Sequence, residues 1–322
     1  MTAPKDRNNQ FDLFIPLMRD LSLKDQRETM ERPFFSLQKR KRLKPIEYAS
    51  QDGEVTVKVE AMPAYGMATI WDADVLIWAA SALNRMKADG KNDVPRTLRV
   101  TAYDLLRTIQ RDTGGKGYAD LKAALDRLAT TSISTTIRGP KKGREARFSW
   151  LDEWRVETDE HDKPVALRIV LSNWVWEGIM TEKSVLTMHP DYFQISGGLE
   201  RIIYRIARKH AGDQDDGWTC RVSLLHEKSG SDSAPKEFAR MLRKIVEAND
   251  LPEYDMAYTT AGDGSQAVRF IRRSVVERVQ VQAELEAEDA ARRRREREDR
   301  RADEVDGLVD PWAKRRVKSG DA

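Results

Sequence analysis

Apolar positions recur at helical spacing in TIWDADVLIWAASALNRMK, where Val75, Leu76, Ala79, Ala80 and Leu83 line one side and Asp72 stands where an N-cap belongs. Before it, IEYASQDGEVTVKVEAM alternates around Asp52-Gly53, the pattern of a β-hairpin with a tight primed turn. After it, RTLRVTAYDLLRTIQRDTGGKGYADLKAALDRLATTSISTTI reads as strand, helix, glycine turn, helix and strand. Thr101 to Asp104 forms a capping box in front of Leu105 and Leu106, and Gly114, Gly115 and Gly117 separate the two helices. The chain continues through RGPKKGREARFSW into two β-like runs, RFSWLDEWRVET and PVALRIVLS, joined by the polar DEHDK.

The same order then returns. GLERIIYRIARKHAG is a helix comparable to the one at 72–87, and Arg221-Val222-Ser223 corresponds to Arg99-Val100-Thr101. Phe238, Leu242 and Ile245 keep the 4-then-3 spacing of Leu121, Leu125 and Leu128. Two β-like runs follow, near 253–259 and 267–272, around the turn AGDG. Helix, strand, helix, turn, helix and β-hairpin make a winged helix, so the pattern predicts an α+β chain with two of them in tandem. The expected divisions are an N-terminal arm at 1–45, winged helices at 46–183 and 184–273, and a charged helical or disordered tail at 274–322.

Composition narrows the function classes. A chain of 322 residues, 40% hydrophobic and 34% charged, accommodates about two domains. It holds no apolar run approaching the roughly 18 residues of a membrane span, and its start lacks the layout of a signal peptide. One cysteine, Cys220, rules out an internal disulfide, which makes the cytoplasm the expected compartment. The net charge of +3 is uneven: residues 1–45 carry 11 Lys/Arg against 6 Asp/Glu, whereas 274–322 carry 12 against 13. Nucleic acid, if bound, must therefore meet local basic faces on a nearly neutral body.

No catalytic, metal or cofactor constellation emerges. Gly115-Lys116 lacks the upstream glycine and the Ser/Thr of a phosphate loop, and His161, His189, His210 and His226 stand apart from one another. The eight tryptophans flank or occupy periodic segments, as core residues do. The cationic faces are more informative. In the helix at 235–248, Phe238, Met241, Leu242 and Ile245 share one arc, while Lys236, Arg240, Arg243 and Lys244 share the opposite one, with Glu247 among them and Glu237 toward its edge. Ser231 or Ser233 could cap that helix, with Pro235 in its first turn. Arg240 and Arg243 are candidate base readers; Lys236 and Lys244 are candidate phosphate anchors. Lys116 and Arg127 are the counterparts in the first repeat, with Asp120 and Asp126 beside them. The segment Arg138, Lys141, Lys142, Arg144 and Arg147 reads as a basic first wing, and Arg269, Arg272 and Arg273 follow the second. Lys39–Arg42 reads either as an arm reaching a minor groove or as a linker.

Three segments, LKDQRETMERPFFSLQKRKRLKPIEY, YGMATIWDADVLIWAASALN and LERIIYRIARKHAG, resemble the replication initiator protein A family of bacterial plasmids, with similarity over about residues 10–273. The resemblance implies a tandem winged-helix initiator, similar to those that bind repeated origin sites, help open an AT-rich region and assemble host helicase machinery on double-stranded DNA. It also implies that the second winged helix reads the site, while the first contacts adjacent DNA and can form a homodimer. The competing readings are a transcriptional repressor without an initiation role and, in another class, an origin-acting nickase or primase.

Overall fold

The computed structural model describes residues 13–14, 21–91, 93–139, 144–212 and 214–309. Strand β1 (Leu13–Phe14) is followed by β2 (Lys24–Gln26), which runs into the single turn α1 (Arg27–Met30). Strands β3 (Ile46–Ala49) and β4 (Thr56–Glu60) pair antiparallel, as the alternation around Asp52-Gly53 predicts. Their loop is wider than a two-residue turn. Ser50 and Val55 close it, the Ser50 amide donating to the Val55 carbonyl at 2.8 Å.

Helix α2 (Ala73–Ala88) is buried over most of its circumference, which suits its near-absence of charge before Arg85. Asp72 stands at its start but does not cap it. Its carboxylate instead accepts the Thr69 amide at 2.8 Å and both arms of Arg127 at 2.7 Å. Strand β5 (Thr97–Val100) leads to α3 (Ala102–Thr108), where the Thr101 hydroxyl accepts the Asp104 amide at 3.0 Å, as expected of that box. Next come α4 (Gly115–Thr130), β6 (Ser132–Thr135), β7 (Ala146–Phe148), β8 (Leu151–Thr158) and β9 (Pro164–Leu171). The short α5 (Asn173–Met180), capped by Ser172, leads to β10 (Val185–Thr187), which pairs with β2. The second half comprises α6 (Gly198–His210), β11 (Trp218–Arg221), α7 (Val222–Ser229), α8 (Pro235–Ala248), β12 (Tyr254–Thr260) and β13 (Gln266–Arg272).

Strand pairing makes the internal repeat explicit and corrects one part of it. In the second half, β13 lies between β11 and β12; in the first, β9 lies between β5 and β8. The hairpin equivalent to β12–β13 is therefore β8–β9. The basic hairpin expected as the first wing is β6–β7, and it extends a different sheet, ordered β3-β4-β6-β7. β6 emerges from α4 directly onto the open edge of β4, with Ile133 opposite Val59. That placement follows from a contact some seventy residues distant in sequence, which local alternation does not encode.

Residues 21–45 are not a detached arm. Met30, Phe34 and Phe35 are buried, and Phe35 stacks on Trp150 with ring centroids 4.6 Å apart. The expected boundary at 183/184 is likewise no gap, because the described residues up to Arg272 form one compact unit. Asp74 of α2, fully buried, receives Arg201 of α6 at 2.6 Å and Arg111 at 2.9 Å. Arg205 of α6 meets the buried Asp25 of β2 at 2.8 Å. Helix α9 (Arg273–Val309) belongs to the second unit. It is the long charged helix that the composition of the tail predicts, held by local pairs such as Asp289–Arg292. Among the described residues, no helix is long and apolar enough to cross a membrane.

Candidate nucleic-acid interface

Helix α8 sorts its side chains as its sequence predicts. Phe238, Leu242, Ile245 and, in addition, Val246 are buried, whereas Lys236, Arg240, Arg243 and Lys244 are all exposed. Its N-cap is Ala234 rather than either expected serine, and Pro235 occupies the first turn. The serines hold the preceding turn instead: Ser229 accepts the Ser231 amide, and Ser231 accepts the Ser233 amide. At the other end, Asn249 adopts the left-handed conformation, and its side chain accepts the Met256 amide at 2.8 Å. The helix is thus fixed to the sheet at its C-terminus while its cationic side faces outward.

Two of the four cations have defined local partners. Arg240 grips Glu237 with both arms, at 2.6 and 2.8 Å, and the Arg240 hydrogen bond holds the Glu237 carboxyl below its ordinary value. This pair lies in solvent, where ion pairs contribute little and open readily. Arg243 sits 5.7 Å from the ring of Tyr258 on β12, a cation–π seat that orients the guanidinium without occupying its donors. No acid lies within salt-bridge distance of Lys236 or Lys244 among the described residues.

The other candidates divide. Lys116 is exposed but bridges to Asp120 at 2.7 Å, and that hydrogen bond raises its pKa. Arg127 is a correction: its fork is spent on the buried Asp72, bracing α4 against α2. Arg138 is another. It pairs with Glu28 at 2.7 Å, donates to the Trp174 carbonyl and stacks 3.9 Å from the Trp174 ring, so it braces the interior. Arg272 is a third, donating to Glu253 at 2.6 Å, while the Tyr204 hydroxyl donates to the other oxygen of that carboxylate. Arg269 donates to the Asp216 carbonyl, and Arg273 opens α9. Arg144 and Arg147 are exposed; Lys141 and Lys142 lie outside the described residues.

The flank of α4 has a different character from that of α8. Between α3, α4 and the β8–β9 hairpin lies an open groove of about 620 Å³ lined by Tyr103, Tyr118, Leu121, Val156 and Val165. In the second half, the Tyr258 hydroxyl on β12 instead donates to the Ala239 carbonyl of α8. The two repeats therefore share a frame but present different chemistry, apolar in the first and cationic in the second.

In sequence the run Lys39–Arg42 reads equally as an arm or a linker, and Lys44 lies just beyond it. Lys39, Arg40, Lys41 and Lys44 are exposed, and Arg42 is buried. A signal was present, since no acid occurs between Glu31 and Glu47.

The chain matches the family model described as replication initiator protein A over residues 24–256. It is 31% identical over 246 residues to a protein of Wigglesworthia glossinidia brevipalpis named "Putative replication protein", covering 75% of this chain and 87% of that one. Its fold is similar to the crystal structure of domains 2 and 3 of RctB in the selenomethionine form, with a TM-score of 0.54 at 13% identity over 75% of this chain and 95% of that one. A second crystal structure of the same two domains gives a TM-score of 0.50 at 13% identity, over 74% and 95%.

Proposed function

The chain belongs to the replication initiator protein A family, and from that premise we propose that it starts plasmid replication by binding double-stranded origin DNA sequence-specifically, without catalysing a reaction itself. Each half is read as a winged helix: α3–α4 with β8–β9, and α7–α8 with β12–β13. The observation that carries this reading is α8, a helix with one side seated in the core and four cations on the other. A helix of that kind fits the major groove, where arginines reach guanine edges and lysines meet phosphates. Two such modules within one compact unit would hold successive segments of the duplex, and several copies on repeated sites would strain the DNA between them. The apolar groove beside α4 suits a protein contact in the first half, either a homodimer or host replication machinery such as the helicase assembly.

A footprint of the purified protein on DNA flanking its own coding region tests the reading. The expected result is protection of repeated sites beside an AT-rich tract. A single protected palindrome over a promoter would favour repression instead, and equal affinity for random duplex would remove the assignment of α8.

A further inference from the structure

The basic run left open by the sequence is fastened to the turn that precedes α8. The Gln38 side-chain amide donates to Asp232 at 2.6 Å, and the buried Arg42 donates to the Gly230 carbonyl at 2.9 Å and to the Lys44 carbonyl at 3.1 Å. Both Gly230 and Asp232 lie between α7 and α8. Gly230 has a positive φ of 66°, and a Cβ there would come within 2.4 Å of Pro33, so the N-terminal segment packs directly beneath this turn. Upstream, Ser36 exchanges backbone hydrogen bonds with Ala68 and Ile70; downstream, Lys41 donates to the Ala64 carbonyl at 2.7 Å. The run is therefore a loop tied at several points, with Lys39, Arg40 and Lys44 exposed, as is Lys41 although its ammonium makes one of the ties.

We infer that the loop at 38–44 is a second DNA-binding element, gripping the phosphodiester backbone next to the groove occupied by α8. The inference rests on the reading of α8 as the groove-facing helix. The loop meets the turn that leads into α8, whose first turn carries the exposed Lys236. Asp232 is held by Gln38 and Glu237 of the first turn of α8 is engaged by Arg240, against four exposed cations on the loop. Sheet register separates this loop from the other basic segment. Ile46, Val59, Ile133 and Phe148 form one end row, just beyond residues 38–44. The β6–β7 connection leaves from the opposite end, past Thr135 and Ala146. The loop at 38–44 is thus the basic segment that adjoins α8.

The test compares full-length wild type with the double variant Arg40→Ala/Lys44→Ala, both positions being exposed, after equal melting temperatures show an intact fold. Binding to origin DNA and to random duplex is measured against salt, and phosphate ethylation interference maps the contacts. Loss of two phosphate contacts should flatten the logarithmic salt slope by about 1.8, on both DNAs, because each contributes roughly 0.9. The ratio of origin to random affinity should stay within about twofold, and interference should vanish at phosphates on one flank only. An unchanged slope and interference pattern overturns the loop's role, and does so even if the loop binds an acidic protein instead. Wild-type protein that fails to discriminate origin from random DNA would sink the reading of α8 separately, since the random-duplex slopes still decide the loop.

Discussion

At the scale of single residues, the side chains that matter for recognition are those whose charge is not already committed within the molecule. Arg127, Arg138 and Arg272 look as cationic in sequence as Arg243, yet their guanidinium groups end in carboxylates at 2.6–2.7 Å. Arg243 instead rests on Tyr258 with its donors available. We predict that Arg243→Ala weakens origin binding by about 1–3 kcal/mol and relaxes preference at one base position. Arg240→Ala should cost no more, because Arg240 must first leave Glu237. Titrations against a panel of singly substituted sites would measure both; equal loss on random and specific DNA would show phosphate contact rather than base reading.

At the scale of the element, α8 has to be anchored before it can present anything. Phe238, Leu242, Ile245 and Val246 hold it by the apolar side, and Asn249 ties its end to β12. Leu242→Ala should destabilise the protein by about 2–5 kcal/mol through lost burial and the cavity left behind. Denaturant unfolding would read this directly, while the fraction still folded should bind DNA with nearly unchanged affinity. The opposite pattern is expected of Arg243→Ala, so the pair separates seating from reading. In the first-half counterpart, α4, the sequence sets Asp120 and Asp126 beside the two candidate cations; in the structure Asp120 takes up Lys116 and Asp72 takes up Arg127.

At the scale of the whole molecule, buried charge joins the N-terminal segment to the second half. Glu31 lies among Arg32 at 3.0 Å, Lys209 at 3.1 Å, His210 at 2.7 Å and Lys228 at 3.0 Å. Burial alone would raise its pKa, but the close approach of the His210 ring together with the charges of Arg32, Lys228 and Lys209 holds the carboxyl far below the ordinary range. A carboxyl depressed in the folded state contributes stability above its unfolded value of about 4.3, and that contribution fades as the pH falls below it. Glu31→Gln should therefore destabilise the protein by roughly 3 kcal/mol at pH 7, since it leaves crowded cations without their acid. The difference from wild type should shrink steadily below about pH 4.3. Urea midpoints of both proteins across that range would check the sign, and a gap that persisted undiminished in acid would refute it.

Much of the molecule was written locally. Helical spacing located α2, α4, α6 and α8, the Thr101 box marked the start of α3, and the 4-then-3 pattern disclosed the repeat, because periodicity and capping depend on neighbours within a few residues. The same locality made the cationic side of α8 readable in advance. Tertiary structure alone decided which hairpin answers to β12–β13, which arginines are internal braces, and that Met30, Phe34 and Phe35 of the N-terminal segment belong to the core. Each of those outcomes depends on a partner tens to hundreds of residues away, such as Val59 for Ile133, Asp72 for Arg127 or Gly230 for Arg42. Composition specifies that a charge exists, but only the folded chain determines whether an acid has already met it.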